Sequence, residues 1–322
     1  MLTPDALAAA STRAQALVTG LDGVIIGQGD LTRAVVTGLL AGGHVLLEGL
    51  PGLGKTELVK ALAHLTGLSS QRVQFTPDLL PSDITGTLVL DRERQMTFRR
   101  GPLFAHLVLA DEINRASPKT QSALLQAMAE RQVTVFDQTH DLPRPFFVLA
   151  TQNPVEQDGT YPLPEAQLDR FTLKLTITGL ATDDLARLLT ERPTGTPPVP
   201  AAATDPAGLA DLMTAAGQIV VAPGVATYIA RLVNATRPEC GHAAATASVR
   251  WGASPRAALA LAACARAAAL LAGRPAVGFG DVKALAVPVI AHRLVLSHEA
   301  ALAGTTAATV VERLVAELPE VA

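Results

Sequence analysis

The chain has 322 residues, 49% of them hydrophobic and 17% charged, and a formal net charge of −3. That composition excludes a disordered chain, and the slightly acidic balance provides no global basic field to draw nucleic acid. The length suits two or three domains with a substantial core.

Residues 5–19 alternate Ala and Leu with Gln and Arg, the pattern of an amphipathic helix. Gly23-Val24-Ile25-Ile26-Gly27-Gln28 comes next, an apolar segment closed by glycine. It reads equally well as packing for a purine ring or as an ordinary buried turn. Residues 30–41 return to helical spacing, and Val45-Leu46-Leu47 reads as a short buried strand.

Gly49-Leu50-Pro51-Gly52-Leu53-Gly54-Lys55-Thr56 then fits G-x-x-x-x-G-K-[ST], the loop that cradles phosphates. Glycines let the backbone approach an anion, and the N–H groups of the loop and of the next helix point at it. That helix begins near Glu57 and runs at least to Ala63. Strand, loop and helix in this order read as a nucleoside triphosphate site. Its expected contacts are Gly49, Pro51, Gly52, Leu53, Gly54, Lys55, Thr56 and Glu57. Lys55 is expected to reach the β- and γ-phosphates, and the Thr56 hydroxyl to ligate Mg²⁺.

Arg72–Phe75 reads as a second strand. Residues 76–102 lack a clean period, though apolar stretches around Leu88 and Phe98 suit a small hairpin. An irregular stretch of that length inside a compact domain is more often functional than idle.

Leu107-Val108-Leu109-Ala110-Asp111-Glu112 is a buried strand that ends in two carboxylates. Ligands of open α/β sheets bind at that end of the strands. Asp111 suits the Mg²⁺-side carboxylate and Glu112 the base that orients an attacking water. A plain Asp-Glu helix cap is the bland alternative.

Ser117-Pro118 opens a helix that runs to about Arg131. Gln132–Val135 and His140–Arg144, flanking Phe136–Thr139, read as a hairpin. Phe146–Thr151 is a further buried strand, followed by Gln152-Asn153-Pro154. Asn153 suits contact with the γ-phosphate or the lytic water, or simply a turn before proline. Pro164 starts a short helix to Arg170, and Phe171–Ile177 reads as a strand.

The Pro- and Thr-rich stretch 192–206 reads as a linker. Helices are expected at 207–217, 223–236, 254–272, 279–296 and 305–317. The domain reading is therefore 1–191 for an α/β nucleotide-binding domain, 192–206 for the linker and 207–322 for a helical domain. The Ala257–Ala272 run is interrupted by Arg266 and reads as a buried helix, not a membrane span. Cys240 and Cys264 form no disulfide framework, the N-terminus lacks the regions of a signal peptide, and a reduced, cytoplasmic setting is expected.

Taken in order, these pieces resemble the MoxR group of AAA+ ATPases. The resemblance is carried by Gly49–Thr56, Phe75–Gly86, Ala110–Ala116, Ala150–Pro154, Tyr161–Phe171 and Gly252–Ala257. It implies an α/β fold with a parallel P-loop sheet, a helix-2 insert at 76–102, a second insert at 132–145 and an all-α lid. It implies ATP and Mg²⁺ as cofactors, with Thr56 and Asp111 at the metal. It makes Glu112 the catalytic base, Asn153 sensor 1, Arg170 the finger given to a neighbouring subunit and Arg256 the lid's sensor 2. Ile25, Ile26, Gly27 and Gln28 match the segment beside the adenine. Arg170 and Arg256 rest on the resemblance alone, because an Arg at a helix end is usually a solvated or ion-paired residue. Arg115 reads equally as a seam charge or a plain surface residue.

The resemblance further implies a nucleotide-dependent hexameric ring. It implies remodelling or maturation of partner proteins, with a von Willebrand factor A (VWA) domain protein as partner and membrane association only through such partners. A metal-chelatase-like motor subunit is the nearest alternative. A nucleic-acid motor is disfavoured by the acidic balance, and a small-molecule kinase by Arg170 and the helical lid. The sequence names no client, and the role of the chain after Leu296 stays open.

Overall fold

A computed structural model describes residues 2–49, 54–90, 94–153, 160–192 and 194–321. Leu50, Pro51, Gly52, Leu53 and Pro154 of the motifs above lie outside the described residues. The chain opens with α1 (Pro4–Val24) and α2 (Gly29–Leu40), then β1 (Val45–Glu48), α3 (Lys55–Thr66) and β2 (Ser70–Gln74). A short α4 (Pro81–Thr85) leads into the hairpin β3 (Gly86–Leu90) and β4 (Met96–Arg100). Next come β5 (Leu107–Asp111), α5 (Pro118–Glu130), the hairpin β6 (Gln132–Val135) and β7 (Gln138–Asp141), and β8 (Phe147–Gln152). α6 (Glu165–Leu168), β9 (Leu173–Thr176) and α7 (Thr182–Glu191) close the first half.

Strands β2, β5, β8, β1 and β9 lie in that order in one sheet, and every neighbouring pair is parallel. Parallel strands need both faces covered, which is why β1, β5 and β8 are continuous apolar runs. One face packs on α1, α2 and α3, the other on α4, α5 and the β6–β7 hairpin. Each run ends in a less buried polar residue, Glu48, Asp111 or Gln152, so the sheet's C-terminal edge is its polar edge.

The second half is α8 (Pro206–Gln218), α9 (Pro223–Ala235), α10 (Ala243–Ser248) and β10 (Val249–Trp251). It continues with α11 (Pro255–Leu271), α12 (Phe279–Ile290), β11 (Val295–Leu296), α13 (His298–Leu302) and α14 (Ala307–Glu317). Its buried side chains join those of α1 and α2 in one apolar cluster. The stretch after Leu296, open from sequence, completes this unit by burying Val310, Val311 and Leu314 of α14. The helical half also holds one antiparallel strand pair, β10 with β11.

Three expectations need correction. The second hairpin strand is Gln138–Asp141, not His140–Arg144, because Phe136 takes a left-handed φ of 53° and Val135 pairs directly with Gln138. Pro143 and Pro145 come after it and carry no N–H to extend the ladder. The helix expected at 279–296 stops at Ile290. Pro288 removes an intrahelical donor, and the Arg293 guanidinium donates to the Val289 carbonyl that a longer helix would have used. The strand expected at Phe171–Ile177 starts only at Leu173, since the Phe171 N–H turns back to Leu168 O at 3.0 Å. The expected cap of α5 is present: the Ser117 hydroxyl accepts from the Thr120 N–H, with Pro118 at the first position.

A fully buried imidazole pins the centre of the sheet. His44 Nδ1 accepts from the Val148 N–H at 3.0 Å, and Nε2 donates to the Met128 carbonyl at 3.2 Å. Burial pushes its pKa down to about 4, with Arg131 adding to the shift. The unfolded chain, near 6.5, therefore takes the proton first as pH falls. His44 contributes stability that is full above pH 6.5 and lost as pH falls through 4, about 3 kcal/mol in all. Chemical denaturation between pH 7 and 4.5 should show His44→Gln with a flatter pH slope than the wild type. Parallel slopes would reject the assignment.

Candidate functional site

The site forms where β1, β5 and β8 end. After β1 the chain turns into α3 through Gly54, whose φ of +79° is the left-handed conformation that favours glycine. Gly49 sits so close to the backbone after β9 that a Cβ there would meet the Ile177 carbonyl oxygen at 2.8 Å. Lys55, the first residue of α3, sends Nζ back to the Gly49 carbonyl at 2.6 Å. Partial burial lowers its pKa, while the Asp111 and Glu112 carboxylates pull it the other way. The ammonium thus sits at the N-terminus of α3, where an anion is favoured.

Opposite it, Thr151 of β8 holds the Asp111 carboxylate and the backbone of Glu112 at the end of β5. Its hydroxyl donates to Asp111 Oδ1 at 2.6 Å and accepts from the Glu112 N–H at 2.8 Å. Glu112 has φ 56° and ψ 51°, a conformation that costs of order 1–3 kcal/mol for a side chain other than glycine. The bond to the fully buried Thr151 helps hold it there. Arg72 of β2 binds Asp111 Oδ2 through Nη2 at 2.7 Å and Nε at 3.2 Å. Gln74 and Arg115 both donate to Glu112 Oε2, at 2.7 and 3.0 Å.

Of these groups Gly54, Lys55, Arg72, Gln74, Asp111 and Glu112 line a cavity of about 520 Å³, within the range of small-molecule sites. One wall is polar, with Lys55, Thr56, Glu57, Asp111, Glu112 and Asn153. The other is apolar, with Val24, Ile25, Ile26, Leu180 and Leu188. The arrangement suits a planar base against the apolar wall and phosphates on the polar one. Of the expected residues, Ile26, Gln28, Gly54, Lys55, Thr56, Glu57, Asp111, Glu112 and Asn153 come together here. Gly27 faces a neighbouring cleft of about 740 Å³ instead.

Comparisons with known proteins give the family. Residues 44–173 match the family described as "ATPase family associated with various cellular activities (AAA)", and residues 242–314 match "AAA lid domain". The chaperone MoxR1 of Mycobacterium tuberculosis is 44% identical over 280 residues, covering 86% of this chain and 74% of that protein. Protein MoxR of Paracoccus denitrificans is 33% identical over 301 residues, covering 86% and 87%. The chain belongs to the MoxR family of AAA+ ATPases. A crystal structure from Cytophaga hutchinsonii, given a provisional ATPase designation, superposes with a TM-score of 0.91 at 36% identity, covering 97% and 96% of the two chains.

In the terms of the MoxR family, the β3–β4 and β6–β7 hairpins are the helix-2 and pre-sensor-1 inserts, and the lid match at 242–314 falls within the second half. The two arginines of the resemblance stand apart from the cavity of their own chain. Arg170 is half-buried, and its Nη1 donates to the Leu125 carbonyl at 2.5 Å. Arg256 is exposed, with Nη1 3.7 Å from Asp169 Oδ2.

Several cavity residues were missed from sequence. α7 carries Leu185, Leu188 and Leu189 at helical spacing just before Pro193, a signal that could have been read. Arg192, Gly195 and Pro197, from the stretch read as a linker, also line the cavity. Thr151 was legible only as a polar residue in an otherwise apolar strand. Arg72 and Gln74 sit on a largely exposed edge strand and carried no sequence signal.

Proposed function

We propose that the cavity binds and hydrolyses ATP, and that the energy drives remodelling or maturation of a partner protein. The observation that carries the first half is the facing of Lys55 and Thr56 against Asp111 and Glu112 across one cavity. Lys55 neutralises phosphate charge, Asn153 orients the terminal phosphate or the water, and Glu112 accepts the water's proton.

The Thr56 hydroxyl and Asp111 carboxylate form a hard-oxygen pair that suits Mg²⁺, an ion bound by one or two carboxylates with phosphates and water making up the rest. When bound, Mg²⁺ would neutralise developing phosphate charge. Arg72 now occupies one Asp111 oxygen, so it must share or release that oxygen.

We read 1–191 as the nucleotide-binding domain, 192–206 as the connection and 207–322 as the lid. The reading includes a ring, hexameric by family resemblance, because neither Arg170 nor Arg256 lines the cavity of its own chain. Arg170 is then read as acting at a neighbour's nucleotide, and Arg256 as the lid residue that touches a nucleotide. Among the described residues no helix is long and apolar enough to cross a membrane.

The client-facing elements are read as the two inserts. Phe98 of β4 stacks on His140 of β7, with ring centroids 4.1 Å apart and planes 12° from parallel, so the hairpins present a joint surface. Leu90, Met96 and Phe136, near the hairpin ends, are exposed. Exposed Arg94, Arg99 and Arg100 on the same hairpin favour an acidic partner surface. The relative named chaperone supports this half of the reading.

Capture from a lysate with Glu112→Gln held in ATP should recover a VWA-domain protein, and ADP should release it. Replacing the β3–β4 turn from Leu90 to Met96 by a short Gly-Ser turn should abolish that capture and leave basal ATP turnover intact. Collapse of basal turnover in the folded variant would place the insert in the active site instead. Turnover stimulated by DNA with a steep salt slope would mark a nucleic-acid motor.

A further inference from the structure

The lid contributes one nearly fully buried guanidinium to the nucleotide-binding half. The Arg293 side chain is 3% exposed. Its Nε donates to Asp169 Oδ1 at 2.8 Å. Nη2 donates to the Phe171 carbonyl at 2.7 Å and to the Asp169 carbonyl at 3.3 Å. Nη1 reaches the Thr172 carbonyl at 3.4 Å and the Val289 carbonyl of α12. The next residue back, His292, donates from Nε2 to the same Phe171 carbonyl at 3.0 Å.

The backbone held in this way flanks Arg170 on both sides. Asp169 is held further from the lid by the Ser254 hydroxyl at 3.1 Å and by Arg256 at 3.7 Å. The Arg170 guanidinium itself donates to the Leu125 carbonyl of α5, and its backbone N–H to the Gln167 carbonyl at 3.2 Å. A planar fork with five donors can hold a carboxylate and several carbonyls at once, which a single ammonium cannot do.

We propose that Arg293 is the positioning residue for Arg170: the lid sets where this arginine is presented. The proposal rests on the reading of Arg170 as a group acting at a neighbour's site. A plain strut between lid and core would lower stability and disturb the chain's own nucleotide pocket. A positioning residue does something narrower. It leaves the chain's own ATP site intact and damages only what the chain offers its neighbour.

The experiment follows turnover and nucleotide affinity in mixed rings. Arg293→Lys keeps the charge and loses the fork; Arg293→Met removes both, and Asp169→Asn weakens the same junction from the other side. Each should keep ATP affinity and lose turnover by about 10–100-fold, the scale of a lost orienting contact. Mixed with Glu112→Gln subunits, which keep an intact Arg170 and Arg293, Arg293→Lys should regain activity at the mixed seams. Mixed with Arg170→Ala subunits it should regain none, because both partners lack a competent finger.

The control is the mixture of Arg170→Ala with Glu112→Gln. If that control stays dead in proven mixed rings, the trans reading of Arg170 falls and this proposal with it. If the control recovers but Arg293→Lys is fully active, loses ATP affinity, or is rescued by Arg170→Ala, only the positioning role is overturned. Should Arg293→Met fail to fold, Arg293→Lys and Asp169→Asn decide.

Discussion

Glu112→Gln should bind ATP as tightly as the wild type and hydrolyse it about 10²–10⁴ times more slowly, the range for loss of a general base. The substitution is nearly isosteric, so the tether to Gln74 and Arg115 at Oε2 can persist through the amide oxygen. The variant loses only the ability to take a proton. Lys55→Ala should act differently, losing the cation that faces the phosphates and with it nucleotide binding. Equilibrium binding and single-turnover hydrolysis separate the two effects. Undiminished turnover in Glu112→Gln would remove this residue from the chemistry and leave the strained turn at Glu112 as structure only. The contrast between the two variants matters because both side chains face the same cavity.

The parts of this site that could be read from sequence are those in which local pattern and chemistry coincide. Val45–Leu47 and Leu107–Ala110 are apolar because parallel central strands are covered on both faces. Each run then gives way to a polar residue, Glu48 or Asp111, because the sheet edge is open. Lys55, Thr56, Asp111 and Glu112 therefore emerge from spacing alone. The apolar wall divides in two. Ile25 and Ile26 were visible as a candidate, whereas Leu180 and Pro197 were not, since they reach the cavity by tertiary folding of the chain around and within a stretch of linker composition. Thr151 and Gln74 act through partners far away in sequence, and no local periodicity encodes such a contact. The hairpin register at Gln138–Asp141 depended on a left-handed Phe136, a residue type that gives no turn signal. The end of α12 depended on a side chain, Arg293, occupied with another domain. Errors thus gather where tertiary contacts override local preference.

The finger reading carries the other large effect. Arg170→Ala should leave ATP affinity close to wild type, because the guanidinium is absent from its own chain's cavity and contributes mainly in the transition state. Turnover should fall by about 10³–10⁵-fold, the range for an arginine supplied to a transferring phosphoryl group. In the isolated chain the side chain is held by the Leu125 carbonyl at 2.5 Å, so assembly must exchange that bond for a phosphate oxygen. The exchange predicts that wild-type specific activity rises with protein concentration, since an unassembled subunit offers its arginine to no site. Arg170→Lys should recover little, because an ammonium cannot reproduce the two-pronged contact of a guanidinium. Specific activity measured across a dilution series, with mass determination at each point, checks the prediction. If a proven monomer turns over ATP as fast as the assembled protein, or if Arg170→Ala loses binding and not turnover, then Arg170 belongs to its own subunit's structure. Its bond to Leu125 would then be its role.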